Sequence, residues 1–314
     1  MAKLLSVLVP MYNEAEVISI FVDTLRPILD GLPVDWEIIC VNDGSTDNTL
    51  KIVREMSAID DRIKVLNLSR NFGKESALTA ALDHARGDAV IPIDADLQDP
   101  PQIIPQMVDL WLAGVDVVNA VRSNRDTDTR IKRLTARYFY VLMNAISNID
   151  VPQNVGDFRL ISRRVLDVLN SMRERRRFMK GLFSWVGFSS ANVFYERQGR
   201  AAGKTKWNYW RLWNFAIEGI TSFSTFPLKI ATYCGFMLAF ISLTYAINLT
   251  ANTLIVGTDV KGYPSIMTAV LFFGGVNLMF IGIVGEYVGR IYEEVKQRPI
   301  YILESSTGFD KNSN

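Results

Sequence analysis

The stretch Ile91-Pro-Ile-Asp94-Ala-Asp96-Leu-Gln98-Asp99-Pro100-Pro101 carries the densest chemistry in the chain. An apolar run, Ala89 to Ile93, leads into two aspartates, and a proline pair closes the stretch. That is the pattern of a buried strand opening into a loop, with a helix starting after the prolines. If the chain stays extended, Asp94 and Asp96 are two apart and point to the same side. Two carboxylates aimed at one point repel each other, and a cation between them relieves the repulsion. Magnesium or manganese suits such a pair, because it takes one or two protein carboxylates and fills its other positions with phosphate oxygens and water. By itself an Asp-x-Asp triplet more often marks a solvated loop or a helix cap. This one stands at the carboxyl end of an apolar strand, where open α/β sheets place their ligands.

The elements that must position these acids alternate along residues 4–121. Strands are expected at 4–9, 36–41, 63–68, 89–93 and 115–121, and helices at 14–29, 46–57, 75–86 and 102–113. Such alternation predicts a mostly parallel sheet with helices on both faces. The crevice at its strand ends then collects Pro10-Met-Tyr12-Asn-Glu14, Asn42-Asp43-Gly-Ser45, Ser69-Arg70-Asn-Phe-Gly-Lys74 and the Asp94 loop. These loops suit a nucleotide. Asp43 offers a carboxylate acceptor to a base N–H, Tyr12 a stacking face, and Lys74 or Arg70 a partner for phosphate. Asn42-Asp-Gly-Ser45 reads equally well as a plain turn followed by a helix cap. There is no Gly-x-Gly-x-x-Gly and no Gly-x-x-x-x-Gly-Lys-Ser/Thr, so dinucleotide oxidoreductase and P-loop ATPase readings lose their main support.

The 314 residues suggest about two domains by length. A net charge of +1 gives no global excess that would attract nucleic acid. Hydrophobic residues make up 49% of the chain, and the surplus is concentrated in 229–289. The amino terminus is too short in its apolar part for a signal peptide and is better read as a first strand. Cys40 and Cys234 carry no metal-ligand spacing and form no disulfide framework, which fits a reducing compartment. The single histidine, His84, is expected at a surface or helix cap, so zinc chemistry and a Ser-His-Asp triad are poorly supported.

Beyond Arg122 the character changes. Arg122, Arg125, Arg130, Lys132, Arg133 and Arg137 cluster beside apolar residues at helical spacing, which predicts a basic amphipathic helix over about 131–149. A helix packed on the domain with its charges in water fits that segment as well. Asp157 and Arg159 share a side if extended, and a second basic run follows at Arg173–Arg177. Lys204-Thr-Lys206-Trp207 leads into Trp210 and Trp213, three apart, as in a helix at head-group level over 207–228. Two uncharged runs, Ile230 to about Leu249 and Ile266 to Gly285, each reach the ~20 residues needed to span a bilayer, which predicts spans over about 230–252 and 265–287. Lys229 lies outside the pair on one side, and Arg290, Lys296 and Arg298 on the other. The positive-inside bias therefore predicts a catalytic unit over 1–206 and a tail over 290–314 that both face the cytoplasm. Gly285 and Gly289, four apart, would allow close helix approach.

Taken together, Pro10-x-Tyr-Asn-Glu14, Asn42-Asp-Gly-Ser45, Asn71-Phe-Gly-Lys74, Asp94-Ala-Asp-Leu-Gln98 and Gly156-Asp-Phe-Arg159 resemble family 2 glycosyltransferases of the polyprenyl-phosphate, dolichol-phosphate-mannose-synthase-like group. Arg177-Phe-Met-Lys-Gly-Leu182, Lys204-Thr-Lys-Trp-Asn208 and the two spans look closest to bactoprenol glucosyltransferases. The resemblance covers nearly the whole chain. It implies a GT-A fold and an inverting transfer from UDP-glucose to undecaprenyl phosphate on the cytoplasmic face of the bacterial inner membrane, serving O-antigen modification. It further implies that Asp94, Asp96 and Gln98 hold Mg2+ or Mn2+ with the diphosphate, and that Pro10, Tyr12, Glu14, Asp43 and Lys74 line the nucleotide pocket. Asp157 matches the proposed catalytic aspartate, with Asp94 and Asp96 beside it. Arg122, Lys132 and Arg133 are the candidates for the lipid phosphate, and Lys204 and Lys206 for the diphosphate. A homo-oligomer is expected, since small membrane anchors often associate. Rival readings are another sugar (mannose from GDP-mannose, or a modified arabinose) and a membrane-tethered nucleotide-sugar binding protein without turnover. Two spans are too few for a processive synthase's channel.

Overall fold

In the computed structural model, residues 2–123, 155–175, 177, 179–196, 226–256 and 262–309 are described. Strand β1 (Leu4–Met11) runs at the middle of the sheet and is buried along nearly its whole length, as a strand covered on both faces must be. It pairs in parallel with β2 (Asp35–Asn42) on one side and β4 (Ala89–Pro92) on the other, and β2 pairs in parallel with β3 (Ile63–Leu68). The connecting helices are α1 (Ile18–Asp30), α2 (Thr49–Ile59) and α3 (Lys74–His84). After β4 comes a 3-10 turn, Pro101–Ile103, running into α4 (Ile104–Leu112) and β5 (Val117–Arg122). The helix does start at the proline pair.

The second half departs from simple alternation. Strand β6 (Val155–Ser162) inserts antiparallel between β4 and β5, and β7 (Ser190–Tyr195) adds in parallel outside β5. Helices α5 (Arg163–Ser171) and α6 (Met179–Trp185) lie between those two strands. The described strands form one sheet in the order β7-β5-β6-β4-β1-β2-β3-β8. Alternating side chains of the central strands feed two cores. Leu5, Val7 and Val9 face Phe21, Leu25, Met107 and Trp111, while Leu8, Ile39 and Val41 face Leu78, Leu82, Leu166 and Leu182. Helices thus cover both faces, as the alternation predicts. Cys40 is fully buried in this sheet, and burial pushes its thiol up to about 12, where it is inert.

Two long helices follow, α7 (Phe226–Val256) and α8 (Tyr263–Val295). They contain the apolar segments expected at 230–252 and 265–287, and by length and composition both can cross a membrane. At 1.5 Å per residue each is about 45–50 Å long, more than the ~30 Å apolar core of a bilayer. Their large side chains, among them Phe236, Phe240, Leu278 and Ile281, are exposed. The amphipathic helix expected over 131–149 lies outside the described residues. So does the interfacial helix over 207–228, apart from its last three residues, which begin α7.

The tail is not a loose appendage. Residues Leu303–Thr307 form β8, which pairs antiparallel with β3 and closes that side of the sheet. Ser69 N–H donates to Ile302 O at 3.0 Å, and Tyr301 hydroxyl donates to Asp83 at 2.9 Å. His84, half-buried in the last turn of α3, lies edge-on to Tyr301 and Phe309. Its expected surface position is covered by this tail.

Candidate active site

The loops at the carboxyl ends of β1 and β2 are stitched together by the side chains that make their sequences distinctive. Asn13 adopts a left-handed backbone with φ 57°, and its Oδ1 accepts from Thr46 N–H at 2.8 Å. Ser45 Oγ accepts from Asn13 N–H, and Thr49 Oγ1 from Glu14 N–H, each at 2.9 Å. These contacts delay α1 until Ile18, four residues later than periodicity alone suggests. Asp43 is buried, with Oδ1 accepting from Phe72 N–H at 2.7 Å and Oδ2 from Gly73 N–H at 2.9 Å. Burial raises its pKa, while the two N–H groups and Arg70 pull the other way. Its carboxylate therefore shapes the 70–74 loop as well as facing the cleft. Gly44 makes this approach possible: it has φ +65°, and a Cβ there would stand 2.5 Å from the backbone of Arg70 and Asn71.

Between these loops lies a cleft of about 290 Å³ lined by Pro10, Tyr12, Glu14, Asp43, Lys74, Asp94 and Asp96. Every residue expected to hold a nucleotide is thus on one wall or another of it, together with both acids of the triplet. Met11, Asn71, Gly73, Ala77 and Ala95 complete the lining. Of these, Asn71 and Gly73 are legible as part of the Asn-Phe-Gly-Lys motif, whereas Ala77 is placed there by the pitch of α3. Lys74 opens α3, and its Nζ lies 2.8 Å from both carboxylate oxygens of Asp94 and 2.8 Å from Oδ2 of Asp157. Partial burial by itself would lower the Lys74 pKa, but Asp157 and Asp94 outweigh it and hold the ammonium above the ordinary lysine value. One cation at the start of α3 therefore joins the loop after β4 to the start of β6, with Lys74 and Asp157 83 residues apart in sequence.

The acid loop turns tightly. Asp96 Oδ1 accepts from Gln98 N–H at 3.1 Å, Leu97 takes φ 56°, and the Gln98 side chain is buried. Among the described residues no group of three His, Cys, Asp or Glu side chains could hold a metal unaided. Two half-buried carboxylates opening on one cleft do fit a hard divalent cation whose remaining positions are filled by phosphate and water.

Arg122 ends β5 one residue from this centre, its terminal nitrogen near Gly156. Its Nε donates to Tyr195 hydroxyl at 3.1 Å, and a terminal nitrogen lies 3.5 Å from Asp99 Oδ1. Tyr195 hydroxyl donates in turn to Asp99. Burial and the Asp99 carboxylate push that hydroxyl up to about 12, so it stays a donor. Asp99 and Tyr195 were not marked by sequence; pairing of Arg122 with Tyr195 across β5 and β7 is what joins them. Arg159 is buried behind Asp157, donating to Gly156 O at 2.7 Å and stacking on Phe183. Burial pulls its guanidinium down to about 10, against the opposing pull of Asp157. Lys132, Arg133, Lys204 and Lys206 lie outside the described residues.

A mixed sheet with helices on both faces and a cleft at its carboxyl edge is the arrangement of a GT-A glycosyltransferase. Residues 6–169 match the family described as glycosyl transferase family 2, and residues 226–291, spanning the α7–α8 pair, match the GtrB C-terminal hairpin. The chain belongs to glycosyltransferase family 2 and has glycosyltransferase activity. A prophage-derived bactoprenol glucosyl transferase of Shigella flexneri is 51% identical over 302 residues, which cover 96% of this chain and 98% of that protein. A prophage bactoprenol glucosyl transferase homolog of Escherichia coli strain K12 is 50% identical over 300 residues, 96% of this chain and 98% of its own. An uncharacterized glycosyltransferase of Synechocystis is 50% identical over 306 residues, 98% and 96% respectively.

Proposed function

We propose that the protein transfers glucose, with inversion, from UDP-glucose to a polyprenyl phosphate, undecaprenyl phosphate in a bacterial membrane, at the cytoplasmic face. The acceptor class is supported by the bactoprenol glucosyl transferases that match at about half identity from end to end. The observation that carries the chemistry is the convergence of Asp94, Asp96 and Lys74 on one cleft, with Asp157 joined to it through the Lys74 ammonium. A phosphate oxygen of the lipid attacks the anomeric carbon, a new C–O–P linkage forms, and the bond to the UDP oxygen breaks. Pro10, Tyr12, Glu14 and Asp43 hold the nucleoside. A divalent cation, Mg2+ or Mn2+, held by Asp94, Asp96 and Gln98 would supply positive charge where the diphosphate leaves.

The acceptor needs less activation than a sugar hydroxyl would. A phosphate monoester with its second pKa near ~6 is largely deprotonated at neutral pH. Asp157 therefore orients the acceptor or takes a residual proton instead of carrying a large general-base effect. Arg122, pre-aimed by Tyr195 and Asp99, receives the lipid phosphate, for which a guanidinium fork is well shaped.

The α7–α8 pair acts as a membrane hairpin. β8 follows α8 and hydrogen-bonds to β3, which supports a hairpin whose carboxyl end stands on the side of the catalytic sheet. Lys229 at one end and Arg290, Lys296 and Arg298 at the other favour the cytoplasmic side. The test is to incubate membranes containing the protein with labelled UDP-glucose, GDP-mannose or a UDP-arabinose derivative, then extract lipid. Label from UDP-glucose in a polyprenyl-phosphate fraction is expected. Label from one of the other donors alone would overturn the sugar assignment, and none from any would overturn the activity.

A further inference from the structure

We propose that Lys74 is the counter-cation of Asp94 before the donor binds, and that a divalent cation enters only together with a diphosphate that draws Lys74 away from Asp94. This rests on the reading above that Asp94 and Asp96 hold a divalent cation. The starting point is geometric. One ammonium contacts both oxygens of Asp94 and one oxygen of Asp157, all at 2.8 Å, and so stands where a metal on Asp94 must find its ligand. A lysine ammonium has three donors on a flexible stem, and no metal shares a carboxylate edge with it without strong repulsion between the charges.

The consequence is an order of events. A bare divalent ion meets a carboxylate whose two oxygens are already engaged and a positive charge beside it, so it binds weakly. A diphosphate arriving with the ion offers Lys74 new oxygens. Lys74 is the first residue of α3 and lies in the same cleft, so its stem can swing between partners without moving the backbone. As Lys74 leaves, Asp94 is given to the metal and Asp157 loses the ammonium contact that occupies it. Asp157 then becomes available to the acceptor only when the donor is seated. A single side chain thereby ties donor loading to acceptor readiness, which would limit futile reaction of one substrate without the other.

The test reads metal binding without turnover. Mn2+ binding to the purified full-length protein is measured by the electron paramagnetic resonance of free Mn2+, with and without UDP, for wild type, Lys74→Met and Lys74→Gln. Wild type is expected to bind Mn2+ about tenfold more tightly with UDP present. Both variants are expected to bind Mn2+ alone about tenfold more tightly than wild type and to lose most of the UDP enhancement, a size consistent with removing one partly screened unit charge. The same metal should raise the melting temperature of the variants more than that of wild type, which also reports that they are folded. If the variants bind Mn2+ alone no better than wild type while wild type binds it with UDP, the Lys74 proposal is wrong and the metal reading stands. If no form binds Mn2+ even with UDP, both are wrong.

Discussion

Replacing Gly44 by alanine puts the architecture of the cleft under direct test. Gly44 has φ +65°, which costs a residue with a Cβ roughly 1–2 kcal/mol. The added Cβ would also stand 2.5 Å from Arg70 C and Asn71 N, well inside contact distance, and these are backbone atoms that cannot rotate away. Relieving that overlap means shifting the 70–74 loop, an overpacking cost of about 1–3 kcal/mol. The sum, about 2–5 kcal/mol, is a large share of the ~5–15 kcal/mol that holds a typical domain together. At about 2–4 °C per kcal/mol for a domain of this size, the melting temperature should fall by roughly 4–20 °C. The same shift moves Phe72 and Gly73 N–H away from Asp43 and displaces Asn71 and Lys74 in the cleft lining. The KM for the nucleotide-sugar should therefore rise several-fold in the folded fraction, with the lipid acceptor less affected. Thermal unfolding in detergent and initial rates with labelled donor measure both. A variant that melts within about 2 °C of wild type with an unchanged donor KM would refute the reasoning.

Three further outcomes are expected. Asp157→Asn should lose less activity at pH 8 than at pH 6, because the phosphate acceptor is already deprotonated at the higher pH; an equal loss at both would leave Asp157 no proton-handling role. Arg122→Glu should raise the acceptor KM far more than the donor KM, and Tyr195→Phe should do the same more mildly by releasing the Arg122 side chain; a donor-only effect would remove Arg122 from the acceptor site. Glu304 Oε2 accepts from Asn67 Nδ2 at 2.6 Å, and Asn67 Oδ1 accepts from Asn42 Nδ2 at 2.7 Å, beside Asp43. Ending the chain at Ile300 removes that ladder and leaves β3 as a bare edge, so stability should drop by several °C in a thermal melt; an unchanged melt would make β8 an ornament of the sheet.

Periodicity is a local property, and it sufficed for the first half of the sheet, because β1, β2, β3 and β4 pair with one another through short helical crossovers. Turn and cap chemistry made Asn13, Ser45 and Gly44 conspicuous, and the Asp94 pair stood out because it ends an apolar run. The apolar lengths of α7 and α8 were equally plain, since a bilayer's thickness is a condition on composition alone. Pairings between distant segments were not legible. The insertion of β6 between β4 and β5, the return of β8 to β3, and the burial of His84 under Tyr301 and Phe309 all depend on which sheet edge a strand reaches. No residue in Leu303–Thr307 announces a partner more than two hundred positions away.

The same division holds within the cleft. Sequence by itself determined which side chains carry charge and which loops stand at strand ends, because residue type and local spacing decide both. Only the tertiary structure decided that one lysine joins Asp94 to Asp157 and that Tyr195 and Asp99 aim Arg122. Those contacts arise where β4, β5, β6 and β7, far apart in the chain, converge, and electrostatic partnership depends on distance in space, which linear spacing does not encode.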